Sequence, residues 1–436
     1  MKDYLKNIVF AATLLFSAIS HADYSVDYES FCDGFPKVPI ETIDGICIGL
    51  VVGKSEKFAI KIPRSVVTIP GTSKILIVDM GSWNQNTGSL WVFDTKSQKG
   101  FQIASKLNLP HKILIGSDQM FYVGEAHQIF RFQLEGDQIK DHEVVISDLP
   151  LSKQYLHPLK NFLFDQEDNL IVSIGSRSDR CEAGKVTDCI SGREAALWKY
   201  EYIKNGQWSS EPEVLAKGLR NSMALASHRS RTLIQAENST DHKSVDEPYE
   251  EINIIEKGGF YGWPICTNNN FIEISDNKNC GENYQQPYSL MPPHVAPLDM
   301  IYYQGELLKP LQNSLIVSWH GYKAIGHRII FFNINDQGLP ERNSKAYFWR
   351  DNLSADQYEF TQHEFAPRGS TGPYAQHKEL TIRWHQINGL RPEGSPVSLH
   401  EAEDGSIYLA EDKNKTILRI SVGESYKDLQ NTYIIK

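Results

Sequence analysis

Apolar residues alternate with polar ones, or form short β-branched runs, along most of the chain. No window beyond residue 22 keeps an apolar stripe at 3.6-residue spacing for three turns, so the pattern predicts an all-β protein. The strands recur in one order: a polar turn, an apolar strand, a polar connection and a second apolar strand. The clearest copy follows the turn Glu403-Asp404-Gly405, where residues 406–411 and 416–420 form the two strands.

Six copies of this strand pair follow one another along the chain. They lie at residues 74–79 with 89–94, 119–125 with 128–132, 169–174 with 196–200, 232–237 with 251–255, 314–319 with 328–332, and 406–411 with 416–420. Their spacing, about 45 residues at first and more than about 80 later, predicts a six-bladed β-propeller with long loop insertions. A sandwich of hairpins is the alternative. Functional residues are expected in the long loops 176–193, 237–250, 264–297 and 319–327.

The first 22 residues have the pattern of a secretory signal peptide. Lys2 and Lys6 precede an apolar run at 8–19, and Ser20-His21-Ala22 forms a small-x-Ala cleavage site. We therefore predict a signal peptide over 1–22, a lead-in segment over 23–61 and the propeller over 62–436. The protein is expected in the periplasm or outside the cell, with no membrane span in the mature chain.

The charge balance limits the possible partners. Forty-four Lys and Arg face 54 Asp and Glu, a formal net charge of −10. Nucleic acids and anionic membranes are therefore not expected as partners.

The six cysteines allow 15 pairings in principle. They fall into three close couples, and an exported protein favours disulfide bonds, so we predict Cys32 with Cys47, Cys181 with Cys189, and Cys266 with Cys280. The alternative is that one couple stays reduced.

Two neighbouring strings carry the strongest local signal. Gly218-Leu-Arg-Asn221 leads into a strand, and Glu251-Ile-Asn-Ile-Ile255 is followed by Gly258-Gly-Phe-Tyr-Gly-Trp-Pro264. Together they resemble the soluble glucose and sorbosone dehydrogenase family. The resemblance extends over about residues 60–421. It implies oxidation of a sugar, with pyrroloquinoline quinone (PQQ) and calcium as cofactors and an electron acceptor that the sequence does not identify.

The resemblance also implies a catalytic histidine. His157 lies eighteen residues before Gly175, as the family's histidine does. A neutral imidazole suits removal of a sugar hydroxyl proton, so His157 is the candidate general base. The alternative is a histidine that satisfies a hydrogen bond at a blade end.

Cofactor ligands follow from the same resemblance. Arg220 and Asn221 match the family's cofactor-binding pair, because guanidinium and amide groups suit the carboxylates of the quinone. Lys323 occupies the region of a cofactor-binding lysine, and Arg391 is the candidate for an arginine that the family has near Ser395. Arg220 is alternatively a cap on a blade loop, and Lys323 a solvated cation.

Calcium in the family is held by backbone carbonyls of a Gly-Pro pair, where this chain has Ser239 and Thr240. Acidic residues follow between 241 and 251 and supply oxygen ligands of the kind calcium takes, or form an ordinary solvated loop. Two alternative functions remain for the whole chain: a non-catalytic propeller that binds a carbohydrate or a partner protein, and a calcium-dependent lactonase.

Overall fold

The fold is seen in a computed structural model that describes residues 27–53, 58–151, 155–181, 185–241, 247–268, 271–272, 279–321, 326–344, 346–348, 361–363, 372–382, 384 and 394–423. The predicted signal peptide over 1–22 lies outside these ranges. Among the described residues, no helix is long and apolar enough to cross a membrane.

Antiparallel strands form a six-bladed β-propeller, which confirms the predicted fold class. The described chain begins with β1 (Asp27–Cys32), β2 (Phe35–Lys37), β3 (Glu41–Thr42) and β4 (Ile46–Val52). The first blade then contains β5 (Pro63–Thr68), β6 (Lys74–Asp79), β7 (Gly88–Asp94) and β8 (Lys99–Leu107). The second contains β9 (Lys112–Ile115), β10 (Phe121–Gly124), β11 (Ile129–Glu135) and β12 (Gln138–Ile146).

The third and fourth blades carry insertions. The third contains β13 (Phe162–Phe164), β14 (Leu170–Ile174), the short helix α1 (Val186–Cys189), β15 (Ala196–Tyr200), the hairpin β16 (Tyr202–Lys204) and β17 (Gln207–Trp208), and β18 (Glu213–Lys217). The fourth contains β19 (Ser222–Ser227), β20 (Leu233–Glu237), β21 (Tyr249–Ile254) and β25 (Ser289–Pro293). Between β21 and β25 the chain forms β22 (Gly259–Phe260), which pairs with β18 of the third blade. It then forms the hairpin of β23 (Cys266–Thr267) and β24 (Phe271–Ile272).

The fifth blade contains β26 (Pro297–Tyr302), a 3₁₀ turn (Lys309–Leu311), β27 (Ser314–Trp319) and β28 (Arg328–Asn333). Short strands follow: β29 (Arg342–Asn343), the hairpin β30 (Ala346–Phe348) and β31 (Thr361–His363), β32 (Tyr374–Ala375), β33 (Lys378–Glu379) and β34 (Thr381–Ile382). Strands β29 and β32 extend the fourth blade, β33 completes the fifth, and β34 pairs with β3.

The sixth blade closes the ring with strands from both ends of the described chain. Its inner strands are β35 (Pro396–Glu401), β36 (Ile407–Glu411) and β37 (Thr416–Val422), and β4 pairs with β37 as the fourth strand. The segment predicted as a lead-in thus contributes β1, β2 and β4 to this sheet. The Cys32–Cys47 disulfide ties β1 to β4, and Cys181–Cys189 and Cys266–Cys280 join the other two predicted couples.

Six buried apolar clusters fill the spaces between neighbouring blades. The cluster between the first and second blades, for example, packs Val67 and Leu76 against Ile113 and Phe121. The corresponding clusters lie between the second and third, third and fourth, fourth and fifth, fifth and sixth, and sixth and first blades. Each fully buried aliphatic side chain contributes about 1.5–3 kcal/mol, so the blade interfaces hold the ring together.

A buried ion pair spans the central channel. Lys112, at the start of β9, places its Nζ 2.7 and 2.6 Å from the two carboxylate oxygens of Asp299 on β26. Asp299 is 2% exposed and also accepts the backbone N–H of Leu399 on β35 at 2.9 Å. One carboxylate therefore links the second, fifth and sixth blades.

Asp299→Ala should lower the free energy of unfolding by about 3–5 kcal/mol, because the substitution leaves the Lys112 ammonium buried without its partner. The matched control is Asp137→Ala, which removes the half-exposed partner of Lys74 and should cost at most about 1 kcal/mol. Chemical denaturation measures both values. Equal losses would contradict a structural role for the channel pair.

Candidate functional site

A cavity of about 610 Å³ lies at the end of the channel where the first strands of the blades begin. Its lining brings together four of the predicted site residues: His157, Arg220, Asn221 and Ser239. Thr240 is buried beside them, and Lys323 and Arg391 lie outside the described residues. The lining also contains Glu250, one of the acidic residues between 241 and 251, and polar and aromatic residues that the sequence did not single out: Arg64, Trp83, His294, His320 and Asp412.

Buried carboxylates fix the loops that surround this cavity. In four blades an acidic residue stands at the end of the second strand or directly after it. Its carboxylate accepts a backbone N–H from the segment that leads into the first strand of the same blade. Asp79 accepts Ile62 N, Glu125 accepts Asn108 N, Glu237 accepts Asn221 N and Glu411 accepts Ser395 N. Because a buried N–H without a partner is costly, these bonds fix the loop backbone around the cavity.

The position after the second strand supplies functional side chains in four blades. Asn238, His320 and Asp412 occupy it in the fourth, fifth and sixth blades and line the cavity. Ser176 follows the second strand of the third blade and binds His157. An alignment of the six strand repeats would have found these residues. Asn238, His320 and Asp412 directly follow the second strand of a repeat, and Ser176 follows it after Gly175.

His157 is held in one tautomer. Its Nδ1 lies 3.0 Å from the carbonyl of Ser176 and 2.9 Å from the Ser176 hydroxyl. That hydroxyl donates its proton to the carbonyl of Ser178, so both neighbours of Nδ1 are acceptors. Nδ1 therefore carries the hydrogen, and Nε2 has its lone pair available on a residue that lines the cavity.

The offset between His157 and Gly175 has a steric cause. A Cβ at position 175 would lie 2.6 Å from the Cβ of His157 and 2.8 Å from its carbonyl oxygen. Only glycine lets the two backbone segments approach this closely. Burial, together with the positive charge of Arg220, lowers the pKa of His157 to about 3, so the imidazole is neutral at physiological pH.

Arg220 is a buried clamp between loops. Its NH1 donates to the carbonyls of Asn238 and Ser239, both at 2.8 Å, and its NH2 donates to the carboxylate of Asp179 at 2.6 Å. Its Nε donates to the carbonyl of Asp179 at 3.1 Å. Four of the five guanidinium hydrogens are thus used by the protein, and the Asp241 carboxylate, which also lines the cavity, lies 3.9 Å from NH2.

The Ser239 carbonyl, a predicted calcium ligand, has a cationic partner. It already accepts the Arg220 guanidinium, which places positive charge where the cation would bind. Ser239 is further held by Glu250, which accepts its backbone N–H, and by the carbonyl of Tyr249, which accepts its hydroxyl. Among the residues that the structure describes, no group of three His, Cys, Asp or Glu side chains is placed to hold a metal ion.

The cavity fits a polycarboxylated quinone in size and in donor chemistry. Its volume lies within the range of small-molecule sites, about 300–1,000 Å³. Arg64, Arg220 and Lys413 bring positive charge to the lining, although Asp412 pairs with Arg64 at 2.7 Å. Asn221, whose backbone is fixed by Glu237, adds a carboxamide. Burial raises the pKa of Glu250 to about 7, which reduces the negative charge that would oppose a polyanion.

His320 also lines this cavity, as His157 and His294 do. His320 Nε2 lies 3.0 Å from the Asp412 carboxylate, which also accepts Arg64 NH1. Arg64 Nε in turn donates to His111 Nδ1 at 3.2 Å. Arg64 and Asp412 are nearly buried, and this network therefore joins the first, second, fifth and sixth blades beneath the cavity.

A comparison of the sequence with protein-family models finds a match that includes His157, Arg220 and Asn221. Residues 117–333 match the family model described as Glucose / Sorbosone dehydrogenase. No curated protein sequence matches the chain significantly.

Solved structures match over most of the chain at low sequence identity. The holo form of the pyranose dehydrogenase PQQ domain from Coprinopsis cinerea aligns with a TM-score of 0.64 at 15% identity, covering 89% of this chain and 99% of that one. The apo form of the soluble aldose sugar dehydrogenase from Escherichia coli aligns at 0.57 and 15%, covering 86% and 99%. The PQQ-bound aldose sugar dehydrogenase from Streptomyces coelicolor aligns at 0.53 and 14%, covering 88% and 100%.

These structural matches establish the shared fold, and the family match adds a sequence relation. The predicted resemblance is thereby confirmed: this chain resembles the glucose and sorbosone dehydrogenase family in sequence over residues 117–333 and in fold over most of its length.

Proposed function

We propose that this protein oxidises an aldose at its anomeric carbon, with PQQ as the electron acceptor and His157 as the general base. The observation that carries the proposal is the fixed tautomer of His157, which leaves Nε2 unprotonated on a residue that lines the cavity. The match to the glucose and sorbosone dehydrogenase family and the fold shared with PQQ-bound sugar dehydrogenases support it.

His157 acts on the hydroxyl at C1 of the sugar. Nε2 accepts the hydroxyl proton as the C1–O bond gains double-bond character, and a cyclic aldose leaves as its lactone. PQQ, when bound, supplies the acceptor for the hydride that leaves C1. The Ser176 carbonyl and hydroxyl keep the imidazole oriented and stabilise the imidazolium that forms.

Arg220 and Asn221 stay predicted cofactor ligands, and both side chains line the cavity. The Arg220 clamp sets the position of the 238–239 backbone, while Glu237 sets that of Asn221. Lys323 and Arg391 stay predicted cofactor ligands. Calcium stays a second predicted cofactor, and the carbonyls of Ser239 and Thr240 stay its predicted ligands.

The neutral state of His157 can be tested without cofactor. In protein labelled with ¹³C at its histidines, the His157 signal should not shift between pH 8 and pH 5, because the lowered pKa keeps the ring unprotonated. His157→Gln assigns the signal. A titration midpoint near the ordinary histidine value of about 6.5 would show that the ring is solvated.

Turnover tests the proposed reaction directly. Protein reconstituted with PQQ and calcium should reduce an artificial electron acceptor when an aldose is added. His157→Gln should lower kcat by at least about 100-fold, the scale of general base catalysis, while PQQ binding is retained. The matched control is His142→Gln, an exposed histidine on β12 away from the cavity, which should keep wild-type turnover.

Two outcomes would contradict the proposal. Unchanged turnover in His157→Gln would remove His157 as the base. Quinone binding without turnover across a panel of aldoses would contradict sugar oxidation itself.

A further inference from the structure

Two large apolar side chains stand exposed at the mouth of the cavity. Trp83 on the first blade is 63% exposed and Leu156, directly before His157 on the third blade, is 49% exposed. Residues deeper in the same lining, such as Arg220 at 4% and Asp412 at 12%, are almost closed to solvent. A large aromatic side chain exposed at the rim of a cavity is available to contact a ligand that enters it.

The loop that carries Trp83 is rigid although its indole is not buried. The Asp79 carboxylate accepts the backbone N–H of Gly81 at 2.9 Å, and the Thr87 hydroxyl donates to the carbonyl of Asn84 at 2.9 Å. Gly81 has a φ of +73°, and a Cβ there would lie 2.1 Å from the carbonyl oxygen of Thr87. The turn therefore requires glycine and holds the loop in one conformation.

A rigid, exposed indole at a cavity mouth suits the apolar face of a sugar ring. The C–H groups on one face of a pyranose can pack on the negative face of the indole, while the hydroxyl groups at the ring edge remain in water. Because most of Trp83 lies outside the cavity, a ring stacked on it is farther out than the ring that reacts at His157.

We infer that Trp83 is the stacking platform for the second ring of a reducing oligosaccharide whose terminal aldose reaches His157. The inference rests on the proposed function and names its substrate class. Leu156 flanks the passage between the two rings on the side of the base. The open mouth leaves the distal end of the oligosaccharide in solvent.

Saccharide binding tests this assignment separately from turnover. Calorimetry on protein loaded with reduced PQQ, which cannot oxidise the sugar, should give a dissociation constant for cellobiose about tenfold lower than that for glucose, the scale of one aromatic contact. Trp83→Ala should bring the ratio of the two constants close to one, and Trp83→Phe should restore part of the preference. The same titrations on quinone-free protein separate loss of the cofactor from loss of the platform.

Ile203→Ala is the matched control. Ile203 is 60% exposed on the β16–β17 hairpin and is not part of the cavity lining, so its removal should preserve the preference for the disaccharide. An equal ratio in wild type and Trp83→Ala would overturn the assignment, as would equal binding of glucose and cellobiose by wild type. Either result would leave the Trp83 indole as a contact for a protein partner. Disaccharide preference without turnover would instead count against the proposed oxidation and leave the platform in place.

Discussion

Each blade must satisfy the backbone N–H groups of the segment that enters its first strand, close to the axis of the propeller and away from water. Asp79, Glu125, Glu237 and Glu411 meet this constraint with buried carboxylates. Burial raises the pKa of Glu237 to about 8 and that of Glu411 to about 7, so these acceptors are held in the fold at an electrostatic cost. The cavity depends on them, because its side chains project from the backbone that they fix.

The two blades without such a carboxylate are those that place a histidine at the site. In the third blade Gly175 allows His157 to approach and Ser176 orients it. In the fifth blade Trp319 ends the second strand and His320 follows it, bound to Asp412. In these two blades Gly175 and Trp319 take the place of the carboxylate at the end of the second strand, and a histidine of the same blade lines the cavity.

Arg220 both fixes the loops around the cavity and affects the charge state of His157. The sequence offered two interpretations, a cofactor ligand and a loop cap, and the four donated bonds to protein acceptors support the cap. Burial lowers the pKa of His157, and the charge of Arg220 lowers it further. A bound polyanion would oppose that effect and raise the pKa of His157, which would strengthen the base when the cofactor is present.

The strand repeats were predictable because period-2 alternation survives in a single sequence, and all six predicted pairs are the second and third strands of the blades. The contribution of β4 to the last blade was not predictable, since pairing across the whole chain leaves no local pattern. His157, Arg220 and Asn221 were found through motif resemblance. Arg64, His320 and Asp412 were missed because they are brought together only by hydrogen bonds between blades that are far apart in the sequence.

Calorimetric titration of PQQ into the purified protein, in the presence of calcium, tests the central claim that this cavity binds a quinone cofactor. The account predicts one site per chain with a dissociation constant of about micromolar or lower, the affinity expected for a cavity of this size with cationic and amide donors. Absence of binding at concentrations well above that value would contradict the quinone assignment and favour a propeller that binds saccharides without oxidising them.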